Sequence, residues 1–264
     1  MQLKWILILF VFFMVFHKNL LAQISPPGLS DTHVASWMAV GLDQQLDAQD
    51  KRRSITYVGI GRMSDPAGAT NLFRKPSIFI LNEEYKQKIS NRFSYTAALS
   101  YRRQNLYEEI APHNKAEPAI RQEFRVYGKL AYGQTNKNVK WNLDFRPEFR
   151  KFFLPDFGQT DALMALRARF KAKAEISLAS SKAHVLIVSA ESLFQSDKIN
   201  KPDNPDWTGF YYDDSRFCLY YRFIPKDVPV YFEIGYMNNL VGTKPAKSVH
   251  HFGVDLVFRN LFGY

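Results

Sequence analysis

Cysteine is all but missing from this chain. Cys218 stands alone among 264 residues, so no intramolecular disulfide can form. A small disulfide scaffold, a multi-cysteine zinc site and a thiol redox motif are excluded with it. No glycine-rich loop suited to phosphate, no Gly-x-Ser-x-Gly turn and no nucleic-acid module occurs, and no cofactor is expected. Long apolar runs are also lacking, apart from Trp5–Phe16. That run is about 12 residues, whereas a spanning helix needs roughly 20. Lys4 lies before it and Leu20-Leu21-Ala22 after it, the layout of a secretory signal peptide over residues 1–22, cleaved near Ala22. Residues 23–264 are then read as a single domain. No later segment has the period of an amphipathic helix.

Charge and aromatics are plentiful. The formal net charge is +10, and loss of Lys4 and Lys18 with the signal lowers it to +8. Such a balance suits nucleic acid, an anionic membrane surface or anionic solutes, and export removes nucleic acid from consideration. Aromatic content is 15%, with 22 Phe and 14 Tyr; large aromatics favour strands and gather at membrane interfaces.

Three central stretches alternate between charge and apolar side chains. Ile120–Tyr132 sets Arg121, Glu123, Arg125 and Lys129 against Ile120, Phe124, Val126, Leu130 and Tyr132. Asn138–Phe152 sets Lys140, Asp144, Arg146, Glu148 and Arg150 against Val139, Trp141, Leu143, Phe145 and Phe149. Leu166–Leu178 sets Arg167, Arg169, Lys171, Lys173 and Glu175 against Leu166, Phe170, Ile176 and Leu178. A period of two means strands with one apolar and one ionic face. Runs of about 13 residues exceed the usual soluble strand and suit a bilayer, which needs about 9–11 tilted residues.

Strand-like runs are read at 34–46, 52–63, 77–88, 92–103, 119–133, 138–152, 162–178, 182–194, 211–224, 229–240 and 248–262. Short turns (Asp47–Lys51, Ile89–Asn91, Gln134–Lys137, Ala179–Ser181, Pro225–Val228) alternate with longer connections such as Ser64–Pro76, Gln104–Pro118 and Gln195–Phe210. An all-parallel sheet would need crossovers of a dozen or more residues at every connection, which the short turns forbid, so the topology is expected to be antiparallel. The whole reads as an all-β, transmembrane up-and-down antiparallel β-barrel. A soluble barrel would show the same alternation with its faces reversed. Strand length, loop asymmetry, export and the closing run Phe252, Val254, Leu256, Phe258 favour the membrane form. Eleven runs conflict with the even strand number of bacterial single-chain barrels. About 12 strands are expected, with 10 as the alternative. The missing strand would involve Gln23–Thr32 or a long loop, unless the N-terminal segment crosses inside the pore. Pro147 removes a ladder donor, which usually marks a bulge or an edge.

The chain also resembles a family. Trp37 in the first strand, the exit Tyr101-Arg102-Arg103, the pair Arg121-Gln122-Glu123-Phe124-Arg125 and Arg146-Pro147-Glu148-Phe149-Arg150, then Arg167-Ala168-Arg169 are similar to the uncharacterised outer-membrane barrels of Gram-negative bacteria grouped as domain of unknown function 2490. The resemblance implies an outer-membrane barrel and brings no activity.

The strongest candidate for chemistry is the inward charge ladder: Arg121, Glu123, Arg125, Lys140, Asp144, Arg146, Glu148, Arg150, Arg167, Arg169, Lys171, Lys173 and Glu175, joined by Arg216 and Arg222. It suits a structural barrel or a porin-like passive pore with a basic lumen, whose partners are outer-membrane lipid and small anionic solutes. Small barrels are also commonly filled by their own Arg–carboxylate pairs. Glu123, Asp144 and Glu148 look too few to neutralise this wall, so some cations are expected to stay hydrated or hold anions. Ser248-Val249-His250-His251 is the local Ser/His group that a lipid-modifying rim enzyme would use, but with no serine-hydrolase motif beside it the group reads first as a polar rim. Asp197, Asn200, Asp203, Asn204 and Asp206 offer oxygen ligands without the EF-hand pattern, and Glu108-Glu109 with His113 adds no recognisable motif. Trp37, Trp141 and Trp207 are expected to anchor the barrel at the interface. An open lumen should prefer anions, and Lys171→Glu with Lys173→Glu should weaken or invert that preference in reversal potentials. A lumen filled by its own pairs should not conduct.

Overall fold

The computed structural model describes residues 28–29, 32–66, 70–200, 206–243 and 245–263. The signal peptide, its cleavage near Ala22 and most of Gln23–Thr32 lie outside the described residues. The described chain is all-β: β1 (Val34–Gln45), β2 (Arg52–Met63), β3 (Lys75–Lys88), β4 (Phe93–Tyr107), β5 (Lys115–Asn136), β6 (Val139–Phe153), β7 (Ala162–Ser177), β8 (His184–Ile199), β9 (Asp206–Trp207), β10 (Tyr211–Phe223), β11 (Val230–Val241) and β12 (Lys247–Arg259).

These twelve strands form one sheet. Eleven long strands close into a barrel, because β8 pairs directly with β10 and β12 returns to β1. The twelfth, two-residue β9 pairs only with the end of β8, inside the long connection where a missing strand was one of the expectations. Every pairing is antiparallel except β1 with β12, which is parallel from Val34↔His250 to Asp43↔Arg259. An odd number of strands that alternate in direction leaves the first and last pointing the same way. The all-antiparallel expectation fails at this seam alone.

Alternation decides the two faces. In β4 the odd positions Phe93, Tyr95 and Leu99 are exposed, while Ser94, Thr96, Ser100 and Arg102 between them are buried. The same holds around the barrel: Leu99, Val126, Leu143, Phe170, Leu219 and Ile234 are each 50–59% exposed. The interior is polar, with three small apolar clusters among the described residues: one around Trp37, Ile80 and Tyr231, one around Ile187, Tyr220 and Met237, and one of Leu29, Ala35 and Met63. Apolar outside and ionic inside is the reverse of a soluble barrel.

Two hairpins run further than the sequence suggests. The β4–β5 ladder continues to Tyr107↔Lys115 through an irregularity at Asn105, so most of the expected loop Gln104–Pro118 is strand. Likewise β8 runs on to Ile199. Polar residues at these ends carry no alternation to signal pairing. Pro147 makes neither a bulge nor an edge. The β5–β6 register is unchanged from Tyr127↔Glu148 to Leu130↔Phe145, with only the pairing between them lost. Its other side pairs with Ala168. Proline has no N–H to give β5, and one interruption absorbs the loss.

Parallel pairing is slightly weaker per residue, and side chains reinforce the seam. Trp37 Nε1 donates to Asp255 Oδ1 at 3.0 Å, and the Gln45 N–H donates to Asn260 Oδ1 at 2.9 Å. Asn260 N–H answers with a bond to the Asp43 carbonyl at 3.1 Å. Trp37 fits because Gly59 faces it on β2: a Cβ there would overlap the indole ring. Gly59→Val should therefore push Trp37 off Asp255 and cost about 1–3 kcal/mol by overpacking. A lower unfolding temperature of the detergent-folded barrel and a red-shifted tryptophan emission would register it; unchanged values would show that the contact does not matter.

Candidate lumen site

The residues of the charge ladder lie on the interior face of β5, β6 and β7. Glu123, Arg125, Lys140, Glu148, Arg150, Arg169, Lys173 and Glu175 are buried, and Arg121, Asp144, Arg146, Arg167 and Lys171 are half-buried. Closure of the barrel brings to them acids from strands that no local window connects: Glu84 on β3, Glu191 on β8, Asp213 and Asp214 on β10, and Glu233 on β11.

Glu148 sits between two guanidiniums, 2.7 Å from Arg146 and 2.9 Å from Arg169. Arg169 also reaches Glu191 at 2.7 Å, and Arg216, 3.8 Å from Glu191, binds Asp214 at 3.0 Å. Nearer the long loops, Glu123 holds Arg125 at 2.7 Å and Arg150 at 2.6 Å, and Arg167 reaches Asp213 at 2.6 Å. Nearer the short turns, Glu175 meets Lys173 at 2.6 Å and both Lys140 and Arg222 at 3.7 Å. Arg222 also pairs with Glu233. The wall's own Glu123, Glu148 and Glu175 thus each serve two of its cations, and Glu191 on β8 and Asp213 on β10 add carboxylates from outside it.

The network also links strands that are not neighbours. Tyr127 on β5 donates to Glu84 on β3 at 2.6 Å, and Lys129 reaches that carboxylate at 3.1 Å. The Arg146 guanidinium lies 3.4 Å from the centre of the Tyr127 ring, a cation–π contact. Near the strand mid-points Trp37, Asn82, Tyr127, Glu148, Tyr220 and Met237 are each at most 3% exposed, and form a buried belt. Asp144, Arg146 and Lys171 beside them are half-buried.

A cavity opens on either side of it. The one at the short turns holds about 670 Å³ and is lined by Arg53, Lys140, Arg222 and Arg259 against Asp50 and Glu175. Asp50, in the β1–β2 turn, clamps Arg53 at 2.5 Å and Lys88 at 2.6 Å. Burial raises its carboxyl, but hydrogen bonds from Lys88 and Arg53 outweigh this and hold it below the ordinary value. The clamp is therefore complete at neutral pH and is lost as pH falls through that lowered value. The cavity at the long loops holds about 290 Å³ and is lined by Arg102, Gln104, Arg121 and Arg167. Gly28 lines it too, and a Cβ on Gly28 would sit 2.7 Å from Arg216.

The remaining candidates do not assemble. Ser248 and His250 point outward, Ser248 bonded to Asn238 at 2.7 Å and His250 Nδ1 to the Tyr236 hydroxyl at 2.6 Å. His251 points inward and is buried. Among the described residues, no Ser–His hydrogen bond joins this group. His113 Nδ1 contacts the backbone carbonyl of Glu108 at 3.2 Å, and Asp197 accepts from Gln195 at 2.8 Å. Asp203 and Asn204 lie outside the described residues. No group of three or more metal-ligating side chains occurs among the described residues. Trp141 and Trp207 face outward, 50% and 39% exposed, but Trp37 is an interior residue at 2%. The anchoring expectation fails for Trp37 because its phase on β1 matches Ala35 and Ala39, both buried. The pairing of a lone Trp with Gly59 was the available signal.

Residues 36–250 match the family model described as protein of unknown function (DUF2490). No curated protein matches the chain. Glu148→Gln should leave two guanidiniums without their shared anion and cost roughly 3–5 kcal/mol, as for breaking a buried pair. The midpoint of urea unfolding in detergent measures this, and a change within error would mean that water already screens the pair.

Proposed function

This chain belongs to the DUF2490 family of proteins of unknown function, a membership that brings no activity with it. We propose that it is an outer-membrane barrel whose lumen is shut by its own ion pairs and aromatic side chains, with a basic-biased vestibule at each end. The observation that carries the closed state is the mid-barrel belt, where Trp37, Asn82, Tyr127, Glu148, Tyr220 and Met237 are each at most 3% exposed. A standing pore would hydrate them. The membrane setting is supported by the exterior: half-exposed Leu, Val, Ile and Phe encircle the barrel, far beyond the apolar patch a soluble monomer tolerates. Long strands with short turns on one rim and longer loops on the other fit that setting.

The role is then structural or ligand-holding, and passage of solutes requires the belt to rearrange. Anions would be the favoured solutes, since cations line both cavities. A lipid-modifying enzyme at the rim draws no support from Ser248 and His250, each bonded to an uncharged partner.

The folded protein should be recovered from outer membranes and should shift in gel mobility on boiling. Recovery only as a soluble periplasmic species would end the membrane reading. In planar bilayers the wild type should show no steady conductance at moderate voltage. A constant open level would end the closed-lumen reading.

A further inference from the structure

Two cations on the outer face of the barrel have no acid beside them. Arg103 on β4 and Lys151 on β6 point outward near the long-loop ends of their strands, and both are exposed. Their cross-strand neighbours are uncharged: Phe79 and Gln122 flank Arg103, and Phe124 and Met164 flank Lys151. Along their own strands the same face carries Tyr101 and Asn105, then Phe149 and Phe153. Neither side chain makes an ion pair or a hydrogen bond among the described residues. Lys151 lies instead 5.4 Å from the centre of the Phe153 ring.

A shelf of rings runs between the two cations. Tyr101 lies 5.2 Å from Phe124 and Phe124 lies 5.9 Å from Phe153, centre to centre. Gln122 pins the shelf. Its Oε1 accepts from the Tyr101 hydroxyl at 2.5 Å, and its Nε2 donates to the carbonyls of Leu154 and Pro155 at 3.0 and 2.9 Å. The polar neighbour of Arg103 is thereby engaged elsewhere. Toward the strand mid-points the same face presents Leu99, Val126, Phe149 and Leu166, paired in one register row and all exposed. An apolar row followed by rings and cations is the order met on passing from hydrocarbon to headgroups. A guanidinium fork matches phosphate oxygens and an ammonium adds a point charge.

We infer that Arg103 and Lys151, over the shelf of Tyr101, Phe124 and Phe153, form a binding site for the phosphate of an anionic lipid in the leaflet at the long-loop rim. The site rests on the membrane reading, because the apolar row below it must lie in lipid.

The test is native mass spectrometry of the detergent-folded full chain with phosphatidic acid and phosphatidylcholine of equal chain length. Phosphatidic acid should be retained in preference. Arg103→Gln combined with Lys151→Gln should cut that retention roughly tenfold, since each cation near a lipid surface contributes to holding anionic headgroups. Lys226→Gln, in the turn after β10, should leave it unchanged. Both outer positions are exposed, so the double variant should fold, and its mobility shift on boiling checks this. Should it fail to fold, Lys151→Gln alone decides. Equal retention of the two lipids would overturn the site, as would undiminished retention in the folded variant. Displacement of the lipid by millimolar inorganic phosphate would assign the cations to a free anion and overturn the lipid ligand. Failure of the protein to insert into phosphatidylcholine vesicles would strike the membrane reading, whereas an inserted barrel without lipid preference would strike only the site.

Discussion

Closing an odd number of strands forces one parallel pair, and much of the molecule follows from where that pair falls. With eleven long strands in the barrel, β1 enters from the rim of the long loops while β12 leaves at the rim of the short turns. The chain before β1 therefore meets the barrel at the mouth of the long-loop cavity, where Gly28 and Leu29 sit against interior residues. A parallel ladder of ten residue pairs has to hold the cylinder shut. Trp37, Asp255, Gln45 and Asn260 add side-chain bonds across it. One lies within the ladder and the other at its short-turn end, reinforcing a closure that backbone pairing alone secures less well.

An apolar exterior leaves the interior as the place for charge. Burying ions is costly unless partners and hydrogen bonds replace water, and one missing partner costs more than the pair contributes. The lumen meets this by sharing: Glu148, Glu123, Glu175 and Glu191 each serve at least two cations. Sharing also makes the arrangement collective. Displacing Arg169 exposes both Glu148 and Glu191, so the belt resists piecemeal opening. Tyrosines complete it, because an aromatic ring fills the space between strands while its hydroxyl still reaches a carboxylate, as Tyr127 reaches Glu84.

How much of this was legible in the sequence depends on whether the signal was local. The strands of the central hairpins were readable because period two persists through Phe124–Val126, Leu143–Phe145 and Leu166–Phe170. The interior phase of Arg125, Glu148 and Arg169 followed directly. The further carboxylates of the network were not legible, since Glu84, Glu191 and Glu233 meet Lys129, Arg169 and Arg222 from other strands only once the sheet has formed. Trp37 misled for a related reason. An aromatic near a strand end looks like an interfacial anchor until its phase is read against Ala35 and Ala39. Arg102 was visible as part of Tyr101-Arg102-Arg103, but its place opposite Glu123 follows only from the β4–β5 register.

Residues that fill a lumen gain by pairing, and the cations toward the middle do so. Near the long-loop rim neutral groups join the carboxylates: Gln104 accepts from both Arg102 and Arg121, and Phe152 packs against the guanidiniums of Arg121 and Arg150. An amide orients a guanidinium without adding charge, so the cations outnumber the acids that line this cavity. The mid-barrel belt then separates two tasks, filling the cylinder at its centre and presenting charge at its mouth.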